Sequence, residues 1–191
     1  MMASILILDT KAIQYYKIYD EYAVHRVVYD LFPATARKFL YYRYPKPEES
    51  GIKVLIISED QPLVPQYGSI ESKLIQNSFL EHQKYAFKVR LNPVVREQDK
   101  AQSVRGYEEL ITWFSLKQKQ WGFSADPMRL ELSSIGVVQI KGKQDPMTFN
   151  ECTFSGVLEV IDQSRFVKSF HDGLGRGKGF GFGLLQLQPL H

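Results

Sequence analysis

A chain of 191 residues with 44% hydrophobic and 24% charged side chains is long enough for one ordinary domain or two small ones, and too apolar to be disordered throughout. Its one cysteine, Cys152, excludes an intramolecular disulfide and a zinc or iron–sulfur site built from this chain's cysteines, and the alternating apolar run around it marks a buried structural thiol. A formal charge of +3 permits contact with nucleic acid without pointing to it, while a start with no basic signal-peptide flank and the lack of any ~20-residue apolar run lead us to expect a cytoplasmic protein.

In chain order, residues 4–8 form an apolar run of strand length, and residues 20–32 carry a helical period that Pro33 stops. Residues 37–44 and 53–58 read as two strands joined by a Pro- and Glu-rich loop. A weaker helical stretch spans 70–82. Residues 85–95 alternate, with Phe87, Val89 and Leu91 on one face and Lys88, Arg90 and Asn92 on the other, and close the first half as a strand. The order β-α-β-β-α-β sets a first domain over residues 1–95, with the polar run 96–102 as linker.

In the second domain, residues 103–191, a helix over 107–120 turns Leu110, Trp113, Phe114 and Leu116 toward a core. Alternating strands follow at 128–141 and 149–161, then a helix at 164–171 with Asp162 or Ser164 as N-cap, a Gly-rich loop, and a strand at 184–190. This half is one strand short, with only residues 103–105 left to supply it. The expected fold is α+β, two ferredoxin-like domains in tandem with a C-terminal Gly-rich loop. Such a fold hosts many functions and identifies none.

On the first helix, Val24, Val27, Val28 and Leu31 share one side at the i, i+3, i+4, i+7 spacing of a core stripe. The other side collects Tyr22, His25, Arg26 and Tyr29. Side chains of these types most often cover neighbouring apolar surface in solvent. The same set also suits cleavage of an RNA phosphodiester. An imidazole titrating near neutrality takes a proton from a ribose 2′-hydroxyl or gives one to the departing 5′-oxygen, Tyr22 orients or assists, and Arg26 offsets charge on the phosphorane. Of the other histidines, His82 and His191 have no neighbouring chemistry. His171 closes the helix before the Gly-rich loop, where capping is its first role and an alternative to His25 its second.

Residues 173–183, GLGRGKGFGFG, put six glycines on alternate positions with Arg176 and Lys178 between them. A helix cap needs only one glycine. Lys178 is followed by Gly179 rather than Ser or Thr, which excludes a P-loop, and the segment leads from a helix into a strand, which excludes a dinucleotide fingerprint. Repeated glycines, Gly175, Gly177, Gly179 and Gly181 among them, let backbone amides approach an extended phosphate chain, and Arg176 and Lys178 add charge there. A second basic tip, Lys141-Gly142-Lys143, lies between the strands of the second domain, as fit to hold A-form RNA by its backbone as to be a solvated hairpin turn. The adjacent acidic pairs, such as Glu48-Glu49 and Glu108-Glu109, point to different sides, so no metal and no cofactor is expected.

Four segments, YAVHRVVYDLFP at 22–33, FKVRLNPV at 87–94, FSGVLEV at 154–160 and the loop and strand at 173–185, spread in order over nearly the whole chain. Together they resemble the CasE branch of the CRISPR repeat-RNA endonucleases, the type I-E Cascade members of the repeat-associated superfamily. The resemblance implies tandem ferredoxin-like domains and metal-independent cutting of precursor CRISPR RNA beside its repeat hairpin, with a 2′,3′-cyclic phosphate as the end of the attack by the 2′-oxygen. It further implies retention of the hairpin product in a multi-subunit surveillance complex, and it assigns His25 as the catalytic histidine with Tyr22 as its partner. Tyr29 departs from the pattern, standing where the family often carries an indole. Two other readings stay open: a non-catalytic RNA-binding subunit of the same superfamily, and a ferredoxin-like module for small molecules or protein partners.

Overall fold

A strand covered on one face buries every second residue, and Leu6 and Leu8 do so in β1 (Met2–Leu8), an inner strand of the first sheet. The structure, a computed structural model, describes residues 1–33, 37–45, 51–97, 100–141 and 146–190. It divides into two compact units, one of Met1–Gln76 with Gln139–Met147 and Gly179–Gly181, the other of Asn77–Val138, Thr148–Lys178 and Phe182–His191.

In the first unit β1 is followed by α1 (Thr10–Tyr16), α2 (Glu21–Asp30), β2 (Phe39–Arg43), β3 (Ile52–Ser58) and β4 (Ser69–Leu74). The strands lie in the order β2-β3-β1-β4, every neighbouring pair antiparallel. Asp9 and Asp20 start the two helices, each carboxylate accepting a hydrogen bond from the backbone N–H three residues on at 2.8 Å. The stripe of α2 packs as its spacing requires, with Val24, Val27, Val28 and Leu31 in one core with Leu6, Leu8, Val54 and Ile56 of the sheet. The seven residues of α1 carry too few periodic positions to be read from sequence.

β4 replaces the helix expected over 70–82. Ser69-Ile-Glu-Ser-Lys-Leu74 is an edge strand with four of its six side chains exposed, so it lacks the apolar alternation that betrays a strand. Its register against β1, Met2 opposite Leu74, and a 2.8 Å hydroxyl bond between Ser4 and Ser72 hold it instead. A 3₁₀ turn, Asn77–Leu80, follows.

β5 (Lys84–Leu91) is the larger correction. Expected to close the first domain, it pairs with β10 (Met147–Val160) on one side and β11 (Gln186–Pro189) on the other. The second sheet runs β11-β5-β10-β8, where β8 is Phe123–Ala125, and β9 (Glu131–Ile140) also pairs with β10. α3 (Tyr107–Gln120) joins β5 to β8, and α4 (Gln163–Asp172) joins β10 to β11. β5 is therefore the strand that the second half lacked, and with it the β-α-β-β-α-β order is complete. The run 96–102, expected as a linker, has its described residues in two antiparallel strands, β6 (Val94–Glu97) and β7 (Lys100–Ser103), with Val94 opposite Ser103. In each unit the fourth strand lies beside the first, then the third, then the second, so the fold is two ferredoxin-like units in tandem, the first without its second helix among the described residues.

The core of the second unit is aromatic, with the rings of Phe114 on α3 and Phe154 on β10 stacked 4.1 Å apart. Leu116, expected in that core, is exposed, because its place in the helical turn falls off the stripe of Leu110, Trp113 and Phe114. Gln118 is buried instead, its Oε1 accepting from the Ala125 N–H at 2.6 Å. Cys152 is buried, and burial pushes its thiol up to about 12, consistent with a structural role.

Candidate active site

With its core stripe turned inward, α2 carries Tyr22, His25 and Tyr29 half-buried at the rim of that face and Arg26 exposed beside them. Residues 179–181 of the Gly-rich loop belong to the same compact unit and lie against this rim. The His25 ring is 4.1 Å from Tyr29, 4.7 Å from Phe180 and 5.5 Å from Tyr22, centroid to centroid. Its Nδ1 is 2.7 Å from the carbonyl oxygen of Gly179. A carbonyl only accepts, so Nδ1 carries the hydrogen, and the basic nitrogen of the neutral ring is Nε2.

Burial pushes the His25 pKa below its ordinary value, and the hydrogen bond to Gly179 opposes that shift without cancelling it. At neutral pH the imidazole is thus an uncharged base, oriented by three rings and one carbonyl. The Arg26 guanidinium sits 6.0 Å from the centre of the Tyr22 ring, at the outer reach of a cation–π contact.

The loop reaches α2 this closely because residue 179 has no side chain: a Cβ there would stand 2.9 Å from Tyr29 Oη. Gly181 is buried, and its Cβ would meet the Tyr41 ring at 3.1 Å. In the second unit the loop is closed by packing. Gly183, at φ +82°, donates to the Arg90 carbonyl and accepts from the Leu174 N–H, both at 2.8 Å. Any Cβ at 183 would collide with the Leu174 oxygen, which only glycine avoids. Phe182 is buried with the Arg90 guanidinium 4.5 Å above its ring, and Arg90 pairs with Glu151 at 2.9 Å.

Of the residues singled out in the sequence, Tyr22, His25, Arg26 and Gly179 therefore come together, and Gly181 packs beneath them. Gly175 and Arg176 are exposed, Gly177 and Lys178 half-buried, and Lys141 is exposed just past β9. Lys143 and His191 lie outside the described residues. His171 is exposed in the last turn of α4, and the backbone N–H of His82 donates to the Tyr85 hydroxyl, so neither is built into the His25 cluster. Spacing on the helix puts Tyr29 on the face of His25, but it does not mark Phe180 or the Gly179 carbonyl as partners. The signal that points to them is the phenylalanines interleaved with the last glycines, since a loop that only followed phosphates would need no rings. Among the described residues, no group of three or more His, Cys, Asp or Glu side chains is placed to hold a metal ion, and no helix is long and apolar enough to cross a membrane.

Known proteins resemble the whole chain. The CRISPR system Cascade subunit CasE of Escherichia coli (strain K12) is 24% identical over 188 residues, covering 90% of this chain and 93% of its own. The structure of Thermus thermophilus Cse3 bound to an RNA representing a pre-cleavage complex matches with a TM-score of 0.84 at 20% identity, over 98% of this chain and 99% of that one. The crystal structure of the CRISPR-associated protein Cas6e from Escherichia coli str. K-12 matches at 0.77 and 20% identity over 100% of both chains. A model of the family described as CRISPR associated protein matches residues 1–189, and the chain belongs to that family.

Proposed function

We propose that this chain is an endoribonuclease that binds the repeat hairpin of a precursor CRISPR RNA and cuts beside it, with His25 as general base. The observation that carries this reading is the 2.7 Å contact between His25 Nδ1 and the Gly179 carbonyl, which leaves Nε2 of a neutral ring to take the proton of a ribose 2′-hydroxyl. The 2′-oxygen then attacks the adjacent phosphorus, the bond to the 5′-oxygen breaks, and that oxygen takes up a proton. The products are a 2′,3′-cyclic phosphate and a 5′-hydroxyl end. Tyr22, stacked on the imidazole, positions it, and Arg26 offsets the charge of the phosphorane.

Arg176 and Lys178 hold phosphates at the Gly-rich loop, where the backbone of Gly175, Gly177 and Gly179 comes close to the RNA, and Lys141, just past β9, holds a further phosphate, with Lys143 proposed from the sequence to do the same. Gly181 contributes by letting the loop settle on Tyr41. The relatives support the substrate and the setting, one being a Cascade subunit and another a Cse3 bound to RNA. On this reading the chain keeps the hairpin product inside a Cascade-type surveillance complex in the cytoplasm.

Incubating the purified protein in EDTA with end-labelled repeat hairpins tests the reading. One cut beside the hairpin is expected, leaving an upstream fragment whose terminal phosphate resists phosphatase until acid opens the ring. RNA that is bound and left whole would make the chain a non-catalytic binding subunit, and an absolute need for Mg²⁺ or Mn²⁺ would overturn the mechanism.

A further inference from the structure

In the second unit a cavity of about 310 Å³ opens at the C-terminal end of α3. Asn92, Trp113, Lys117, Gln120, Trp121 and Arg176 line it. Its volume lies at the lower end of the roughly 300–1,000 Å³ of small-ligand sites, the scale of one nucleotide rather than of a folded partner. Among the described residues that line it, Lys117 and Arg176 are cations and none is a carboxylate, a lining that suits an anionic occupant. Its aromatic content is two indoles, Trp113 and Trp121, whose ring centres are 6.1 Å apart at 74°.

Trp113 is 6% exposed, and its indole N–H is buried without a hydrogen-bond partner among the described residues, an unusual cost unless something fills the site. Trp121 follows the helix as its cap residue and is only half-buried, which leaves ring surface for stacking. An antiparallel bridge between Asn92 and Arg176 holds the loop backbone against the opposite wall. The end of α3 bears partial negative charge, unfavourable to a phosphate, and Lys117 and Lys119 in its last turn offset it.

We infer that this cavity takes one unpaired nucleotide of the RNA, its base stacked on Trp121, its edge read by Gln120 and Asn92, and its phosphate held by Lys117 and Arg176. The inference rests on the RNA-cutting role proposed above and adds to it a seat for single-stranded RNA flanking the hairpin. Bases present a stacking face whatever their identity, so the seat favours an unpaired nucleotide without demanding one sequence.

Binding is measured for three RNAs: the repeat hairpin alone, the hairpin with a six-nucleotide uridine-rich tail on either end, and the tail alone. Wild type should bind one tailed hairpin about tenfold more tightly than the bare one, within the gain that stacking one base on an aromatic ring gives. Lys117→Ala, a change on the helix surface, and Trp121→Ala should each remove most of that gain while leaving affinity for the bare hairpin and its cleavage unchanged. The tail alone should quench tryptophan fluorescence in wild type and less in Lys117→Ala, a readout independent of whether the hairpin is recognised or cut. Equal affinities for tailed and bare hairpins together with no quench overturn the inference and leave the proposed cleavage standing. Loss of affinity for partner subunits in Lys117→Ala, with all RNA binding unchanged, overturns it in favour of a protein-docking site. A bare hairpin that is neither bound nor cut, with the quench retained, supports the seat and sinks the hairpin reading.

Discussion

Gly179 and His25, 154 residues apart in the chain, are joined by a 2.7 Å hydrogen bond from an imidazole nitrogen to a backbone carbonyl. The bond selects one tautomer, and burial keeps that tautomer uncharged to lower pH than a free histidine. If Nε2 removes the proton, the acid limb of the pH profile of cleavage at subsaturating RNA should fall below 6.5, with a plateau through neutrality. A rate that instead fell as pH rose through 6.5 would show that the free enzyme needs a protonated imidazole.

The same shift makes a statement about stability. Because the folded pKa is depressed, the unfolded chain binds a proton at His25 more readily than the folded one, so this group lowers stability as pH falls through 6.5 toward the folded pKa. Thermal melts between pH 7 and pH 5 should drop more steeply for wild type than for His25→Gln, which cannot titrate. Parallel slopes would mean that the ring is as well solvated folded as unfolded.

His25 stands outside the Val24, Val27 and Val28 stripe, so its replacement leaves the core of α2 whole. His25→Ala should bind hairpin RNA nearly as wild type does and cut it about 10²-fold or more slowly, the usual loss for a general base. Tyr22→Phe should lose less, since the ring contact at 5.5 Å survives without the hydroxyl. Single-turnover rates at saturating enzyme measure both. Wild-type cutting by His25→Ala with failure in His171→Ala would move the chemistry to α4.

The pieces legible in the sequence were those whose side chains obey one period. The α2 stripe and its opposite face, the extent of α3 with its Leu110, Trp113 and Phe114, and the buried strands β3 and β10 all follow from spacing, and with them the place of His25. What did not follow was partnership. Residues 85–95 look the same whichever sheet they join, and the polar edge strand β4 hides itself, so one strand was credited to the wrong half and the second half came up short. The site suffered in the same way. The face of α2 was visible, but which backbone atom would complete it depends on a loop folding back from residue 179, and local pattern does not encode a contact across 154 residues.

Arg176 is exposed and Lys178 half-buried in the loop, and taking the cation away from one bound phosphate lowers the salt slope of binding by ~0.9 for duplex or ~0.7 for single-stranded RNA. Replacing both with alanine should therefore weaken hairpin binding and flatten a plot of log affinity against log salt by roughly 1.4 to 1.8 if each holds one phosphate. Filter binding across a salt series reads this directly. An unchanged slope would leave the loop a packing role alone.

Gly179→Ala offers the most specific check on the site. The position does not have a positive φ, so alanine brings no backbone strain; the difficulty is the new methyl, 2.9 Å from Tyr29 Oη. Tyr29 is held by His25 at 4.1 Å and by Phe39 at 4.9 Å, so the loop gives way more readily than the ring does. Moving the loop stretches the bond that fixes the His25 tautomer. One such hydrogen bond is worth about 1 kcal/mol, which sets an expected drop of roughly fivefold in single-turnover cleavage. Tyr29→Phe removes the offending oxygen, and the next atom, Tyr29 Cζ, would then lie 4.0 Å from the methyl, an ordinary contact. The double variant Gly179→Ala with Tyr29→Phe should accordingly cut within about twofold of Tyr29→Phe alone, a coupling of the size seen between side chains in contact. If Gly179→Ala cuts at the wild-type rate, the carbonyl is not what orients His25; if the double variant is as slow as Gly179→Ala, the clash with Tyr29 is not how residue 179 acts.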